Sequence, residues 1–354
     1  MEELIAKVLQ GKRINDQEFY DLSGSDDLHL LGYLANTRRK QKHPDKTVTY
    51  VIDRNINYTD ICISGCKFCA YYKKVDDKQG KLLSIAELDK KLSETKALGG
   101  TQVLLQGGLH PDLTIEYYED MVRFIKNKGI HVHGFSPPEI HHFAAVSFLS
   151  TGEVLDRLIK AGLGSIPGGG AEILSDRVRN LTAPEKCSAD KWIAIMEQAH
   201  GKGLRTTATM MFGHVEQLSE RLEHLRRLRD LQDKTGGFTA FIPWPFQPDN
   251  TMLGNEGTAP RTGGYEYLKM LALSRIYLDN FDNIQASWVT QGPKVAQLSL
   301  FFGANDFGST MIEENVVAAA GVSFKLSEKE IRRIVKDAGF TPQQRLMDYT
   351  HMNN

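Results

Sequence analysis

The fold class this sequence predicts is α/β: a (β/α)8 barrel with helical extensions at both ends. Short apolar runs rich in β-branched residues alternate with longer stretches of 3.6-residue apolar periodicity through almost the whole chain. The runs number eight when "NINYTDIC" opens the series. Glycine, proline, cysteine and other chemistry-bearing residues gather just after the runs, at the strand ends whose loops build active sites in a barrel.

The elements follow in order. "MEELIAKVLQGKRI" reads as a short amphipathic helix and opens a helical cap over residues 1–45. "TVTYVID" (47–53) leads into "NINYTDIC", the first barrel strand. The others are "TQVLLQG" (101–107), "HVHGFS" (131–136), "LGSIPGG" (163–169), "TTATMMFG" (206–213), "FTAFIPW" (238–244), "NIQASW" (283–288) and "ANDFGS" (304–309). Helical patterns occupy 84–98, 114–128, 188–202, 215–234, 263–280 and 326–338. Ser84, with Glu87 three residues on, and Ser188 supply N-caps. "RLEHLRRLRDLQDK" (221–234) is basic, but its spaced leucines and mixed charges mark an outer barrel helix. His141, His142 and His200 fall in helical patterns and are expected on the surface. With no linker, low-complexity stretch or repeat, residues 46–325 are assigned to the barrel and 326–354 to a C-terminal helical extension, all one structural domain.

Composition bounds the function. Of 354 residues, 41% are hydrophobic and 25% charged, an ordinary globular balance able to bury a large core. A formal net charge of -1 gives no electrostatic case for nucleic acid. No apolar run has the length of a membrane helix, and the N-terminus lacks a signal-peptide core, so a cytoplasmic protein without a membrane partner is expected.

Of the four cysteines, Cys62, Cys66 and Cys69 lie in one short loop after the first barrel strand. Three is an odd number for disulfides, and Cys187 is remote in sequence. Zinc prefers four closed ligands, and no second CxxC or HxxxH is present. A redox CxxC leaves Cys62 unused. An iron–sulfur cluster held by three thiolates fits better, since it leaves one iron open to a small chelating molecule.

The spacing Cys-x3-Cys-x2-Cys, with Phe68 before the last cysteine, resembles the signature of the radical S-adenosylmethionine (SAM) superfamily. The resemblance implies a [4Fe–4S] cluster on Cys62, Cys66 and Cys69, with SAM chelating the open iron and cleaved to a 5′-deoxyadenosyl radical. It implies that Gln106, Gly107 and Gly108 meet the SAM methionine amine, where glycine lets backbone approach closely. Ser136, Glu139 and Glu172 then face ribose hydroxyls, and Met211 in "TMMFGH" faces adenine.

A longer set of motifs, "GGTQVLLQGGLHPDL", "SPPEI", "GLGSIPGGGAEIL", "GGFTAFIPWPFQP", "QASWVTQGPK" and "GANDFGSTMIEENV", resembles the cyclase family of the futalosine route to menaquinone. That resemblance implies dehypoxanthine futalosine as substrate, hydrogen abstraction at its sugar C4′ and attack of the carbon radical on the benzoate ring. It also implies a one-electron reductant such as flavodoxin or ferredoxin. Trp244, Phe246 and Trp288 would wall the arene, and Asn305, Asp306, Ser309 and Thr310 would bind hydroxyls. His110, His214 and Glu216 are the candidate bases for the final proton.

Aminofutalosine synthase and the radical SAM enzymes of deazaflavin synthesis share the cysteine loop and much of the barrel, so they stay as alternatives. An iron–sulfur or zinc protein without catalysis is a third. It would give the strand-end residues no role.

Overall fold

Every pairing between the protein's strands is parallel, as strands separated by helical crossovers require. The computed structural model describes residues 1–257, 259 and 261–352. Its strands are β1 (Thr47–Val51), β2 (Asp53–Asn57), β3 (Gln102–Gln106), β4 (His131–Gly134), β5 (Leu163–Ile166), β6 (Arg205–Phe212), β7 (Phe238–Pro245), β8 (Asn283–Ile284), β9 (Asp306–Ser309) and β10 (Thr341–Gln344). Strands β2 to β8 form one seven-stranded sheet in sequence order, and β10-β1-β9 form a three-stranded sheet.

Backbone hydrogen bonds join the two sheets into a barrel. Asn305 and Ala286 N–H groups donate across the β8–β9 seam, to Ile284 O and Asp306 O. On the other side Thr310 N–H donates to Val51 O and Ile312 N–H to Asp53 O. β9 therefore closes the seven-stranded sheet as its eighth member, and the predicted strand series is the observed one.

Most of the crossover helices pack outside the barrel and bury an apolar stripe. The helix Thr151–Ala161 buries Val154, Leu155 and Leu158, and ends at Gly162 with φ 116°, a left-handed stop that glycine adopts without penalty. The N-terminal helix Leu28–Lys42 packs on Gly264–Tyr277. The surface expectations for three histidines are corrected: His141 is partly buried. His142 is buried, its Nε2 2.7 Å from His110 O, because its helix Pro137–Val146 lies against the barrel. His200 is partly buried and bridges the Thr235 and Thr206 hydroxyls, each at 2.7 Å.

The C-terminal extension is likewise not all helix. After the helix Glu328–Asp337 the segment "TPQQ" runs as β10 along β1, with Pro342 opposite Val48. Its polar residues carry no strand signal, and a proline fits only because β10 is an edge strand. The chain then turns under the barrel and brings Arg345 and Met347 to the interior. No helix of the described residues is long and apolar enough to cross a membrane.

Ordinary barrels fill their interior with layers of Val, Ile and Leu. This one carries Gln102, Gln106, His133, Thr207, Gln285 and Ser309 there, and the interior stays open as a cavity of about 420 Å³. That is within the usual size of a small-molecule site.

Candidate active site

The cysteine loop leaves the C-terminal end of β2 and is held on several sides. Cys62 N–H donates to Lys73 O, and Ile63 N–H donates to Leu109 O beyond β3. Lys67 N–H donates to Thr182 O and Leu253 N–H to Lys67 O, which ties the loop to two more rim segments. Cys62, Cys66 and Cys69 all line the cavity.

The donor set fits a cluster better than a single ion. Among the described residues no three His, Cys, Asp or Glu side chains converge on one metal position. Three thiols spread around a space suit a multi-iron cluster, where each thiolate takes its own iron. Ser64 and Leu109 N–H groups point at Cys62 Sγ from 3.4 and 3.2 Å, supplying hydrogen bonds to a thiolate. Burial pushes the Cys62 and Cys69 thiols up, so charge on sulfur needs a cation to hold it there.

The 106–108 turn owes its glycines to this loop. A Cβ at Gly108 would stand 2.7 Å from the Ile61 carbonyl carbon and 3.0 Å from Cys62 Cβ. One at Gly107 would stand 2.6 Å from the Tyr58 ring. Glu139 fixes the same turn: Oε1 accepts from Gly107 N–H at 3.0 Å and Tyr58 O–H at 2.7 Å. Its Oε2 accepts from Ser136 N–H at 2.7 Å and Ser136 O–H at 2.6 Å. With four donors in place, Glu139 is engaged in holding Gly107, Tyr58 and Ser136, although it borders the cavity.

Glu172 sits at φ 39°, a left-handed conformation uncommon for a non-glycine residue and the kind of strain that clusters at sites. Lys186 Nζ donates to its Oε1 at 2.7 Å. Burial opposes the Lys186 cation, but negative charge on Cys66 and Glu172 holds its pKa well above the ordinary lysine value. Burial likewise opposes ionised Glu172, and Lys186 outweighs it, keeping the carboxylate below its usual range. Lys186 also lies 5.0 Å over the Phe68 ring. It is the cation of the cysteine side of the cavity, and sequence reading missed it because "EKCSAD" looks like an ordinary helix start.

Phe68, Trp244 and Met211 pack with Phe246, Leu253 and Ala259 as a separate apolar cluster at the rim. Trp288 lines the opposite wall, its Nε1–H donating to Ser309 O at 2.9 Å. Ser309 is at the cavity with its hydroxyl on Asp53.

Six expected site residues stand elsewhere. Asn305 serves the β8–β9 seam, where Oδ1 accepts from Ile284 N–H at 3.0 Å and from the buried Arg275 at 2.6 Å. Asp306 pairs with Arg345 and Thr49, and Thr310 turns its hydroxyl to Asp53 O. His214 is buried against Phe246, with Nδ1 3.3 Å from Glu216. Glu216 accepts from Gly213 and His214 N–H groups and from Arg221. His110 caps its own turn by accepting from Asp112 N–H. None of the six borders the cavity. His110, His214, Glu216 and Thr310 follow the C-terminal ends of strands as expected, whereas Asn305 precedes β9 and Asp306 opens it, at the other end of the barrel; in all six the polar atoms close loops and seams. Besides Glu139, Glu172 and Lys186, the charged or titratable groups at the cavity include Asp53 and His133 on the strands, Asp60, Tyr71 and Glu314 in the loops, and Arg345 in the C-terminal segment.

A parallel barrel with a three-thiolate loop after its first strand, and a Gly-rich turn packed on that loop, defines the radical SAM class of enzyme. Residues 56–228 match the Radical SAM superfamily and residues 235–354 match the CofH/MqnC C-terminal region. The chain belongs to the radical SAM superfamily, in the branch with a CofH/MqnC C-terminal region, and its cofactors are that superfamily's [4Fe–4S] cluster and SAM. It is 45% identical to the cyclic dehypoxanthine futalosine synthase of Halalkalibacterium halodurans, over 98% of this chain and 93% of that one. It is 42% identical to the Streptomyces coelicolor protein of the same name, over 99% and 89%. The aminodeoxyfutalosine synthase of Thermus thermophilus is 41% identical over 96% and 92%. In fold it resembles methylornithine synthase, with a TM-score of 0.73 at 17% identity over 96% of this chain and 97% of that one.

Proposed function

We propose that this enzyme cyclises dehypoxanthine futalosine to its spiro product in the futalosine route to menaquinone. The near-complete alignment with two proteins named as cyclic dehypoxanthine futalosine synthases carries this reading, since it spans the cysteine loop, the rim and the C-terminal segment alike.

When bound, the cluster and SAM supply the radical that removes a substrate hydrogen. The chain's own residues do the rest. Cys62, Cys66 and Cys69 hold the cluster, and Lys186, with donors left beyond Glu172, takes the SAM carboxylate. The 106–108 turn, locked by Glu139, offers backbone to the methionine amine. Glu172 and Ser136 meet ribose hydroxyls, and Met211 meets adenine, with Phe246 beside it facing the substrate arene. Trp244 and Trp288 wall the substrate arene. Arg345, a cation at the barrel floor with N–H groups beyond those on Asp306 and Leu346 O, attracts the benzoate carboxylate. The enclosed interior excludes water and so protects a reactive intermediate. A flavodoxin- or ferredoxin-type protein serves as reductant.

The test is anaerobic. The protein is reconstituted with iron and sulfide, reduced with dithionite and given SAM and dehypoxanthine futalosine, with products followed by mass spectrometry. Free 5′-deoxyadenosine together with a product two hydrogens lighter than substrate is expected. An adenosyl group retained in the product would instead indicate the aminofutalosine chemistry of the Thermus relative. No cleavage of SAM by folded, cluster-loaded protein would overturn the reading.

A further inference from the structure

The proposed reaction releases a proton, and none of the three strand-end bases reaches the cavity. The cavity does meet one end of a polar chain inside the barrel. His133 on β4 lines it. His133 Nδ1 lies 2.7 Å from Ser165 Oγ on β5, and the same hydroxyl lies 2.7 Å from His131 Nε2. Among the described residues His133 Nε2 makes no hydrogen bond to protein, and the residue, though buried, lines the cavity. His131, two residues nearer the barrel base, is partly exposed. The three groups thus run from the cavity to the outside at the N-terminal end of the strands.

One serine hydroxyl carries one proton, so it donates to one ring and accepts from the other. We propose that His133, Ser165 and His131 form a proton relay that carries the proton lost by the substrate ring from the cavity to solvent at the barrel base. The inference rests on the cyclase reading above. His133 is the catalytic residue, and Ser165 and His131 act through it. In the active polarity His133 holds its proton on Nδ1 and donates it to Ser165 Oγ, which donates to His131 Nε2.

The balance closes. The cyclised ring radical gives one electron to a one-electron oxidant of the iron–sulfur class, and its ring C–H bond breaks as aromaticity returns. That proton goes to His133 Nε2 while the Nδ1 proton passes to Ser165, the serine proton to His131 Nε2, and the His131 Nδ1 proton to water. Because the protons move together, no charged imidazole has to form in the interior. That suits the site, since burial, His131 and Arg345 all act to keep His133 neutral.

Two measurements test it. With the reconstituted enzyme, Ser165→Ala should cut kcat for the cyclised product by about 100-fold, within the range of general acid–base effects, with KM little changed. Free 5′-deoxyadenosine should still form, so its ratio to product should rise, and Ser165→Thr should restore coupling. His131→Gln should behave like Ser165→Ala. Separately, long-range 1H–15N spectra of the full chain should show His133 protonated on Nδ1 and bare on Nε2. Product formation within twofold of wild type in both variants would overturn the relay, as would an Nε2-protonated His133, which faces the cavity as a donor. If wild type cleaves SAM but makes no cyclised product, the cyclase reading fails and the spectra still report the relay's polarity.

Discussion

Replacing Gly108 by alanine tests whether the glycine turn serves the cysteine loop. The new methyl would meet the Ile61 carbonyl carbon at 2.7 Å and Cys62 Cβ at 3.0 Å, besides the Ile61 oxygen. These are main-chain atoms and a root carbon, so no side-chain rotation relieves the contact. Overpacking of this kind costs about 1–3 kcal/mol, and the upper end applies where backbone must shift. The loop must move away from β3, breaking the Leu109 N–H contact to Cys62 Sγ at 3.2 Å. If about 3 kcal/mol falls on the cluster-holding conformation, occupancy weakens roughly 100-fold, at 1.4 kcal/mol per decade. The assay is iron and sulfide per chain after anaerobic reconstitution, beside a urea unfolding curve. Gly65→Ala in the same loop is the control, since its Cβ meets nothing within 4 Å and only its φ of +55° opposes the change. Full iron loading in Gly108→Ala, with an unchanged unfolding midpoint, would falsify the steric account.

Three further outcomes follow from buried charge and burial. Lys186→Met leaves Glu172 buried without its partner, and should destabilise the protein by about 3–5 kcal/mol in urea while lowering SAM affinity more than tenfold in equilibrium dialysis of the cluster-loaded enzyme. Arg345→Met strands Asp306 beside Asp53 at the barrel floor; a similar loss is expected, and adding Asp306→Asn should recover part of it in a double-mutant cycle. Burial lowers the pKa of His200 from 6.5 to about 4, so below 6.5 the unfolded chain binds protons that the folded one refuses. Its stabilising contribution is therefore complete above pH 6.5 and is lost as pH falls toward 4, amounting to about 3 kcal/mol at 1.36 kcal/mol per pKa unit. Urea midpoints from pH 7 to 4.5 should fall less steeply in His200→Gln than in wild type.

The barrel was legible because its signals are local. Each strand is a short apolar run, each crossover a helical stripe, and Ser84 with Glu87 forms the expected capping box. β10 was illegible because an edge strand borrows its hydrogen bonds from β1 and needs no apolar pattern of its own. The cysteines were legible because three thiols so closely spaced have few structural uses. Lys186 was not, because its meaning lies in Glu172 and the cysteine loop, which only the fold brings to it.

The misplaced bases show where a strand-end rule stops. Polar residues after a strand must also satisfy the backbone that turns there, and His110 and Glu216 do that work. A residue within a barrel strand has no turn to close, and its backbone is already paired. Its side chain points either to the helix layer, which must be apolar, or to the interior. In "HVHG" the valine is apolar and fully buried, so it takes the outer face and both histidines turn inward. In "LGSI" the same alternation turns Ser165 inward and Ile166 outward. Alternation places His131 and His133 on one inner surface without any motif, and a register shift between β4 and β5 brings Ser165 beside them. In a barrel whose interior is polar, the middle of a strand is where a side chain is free to act on a substrate.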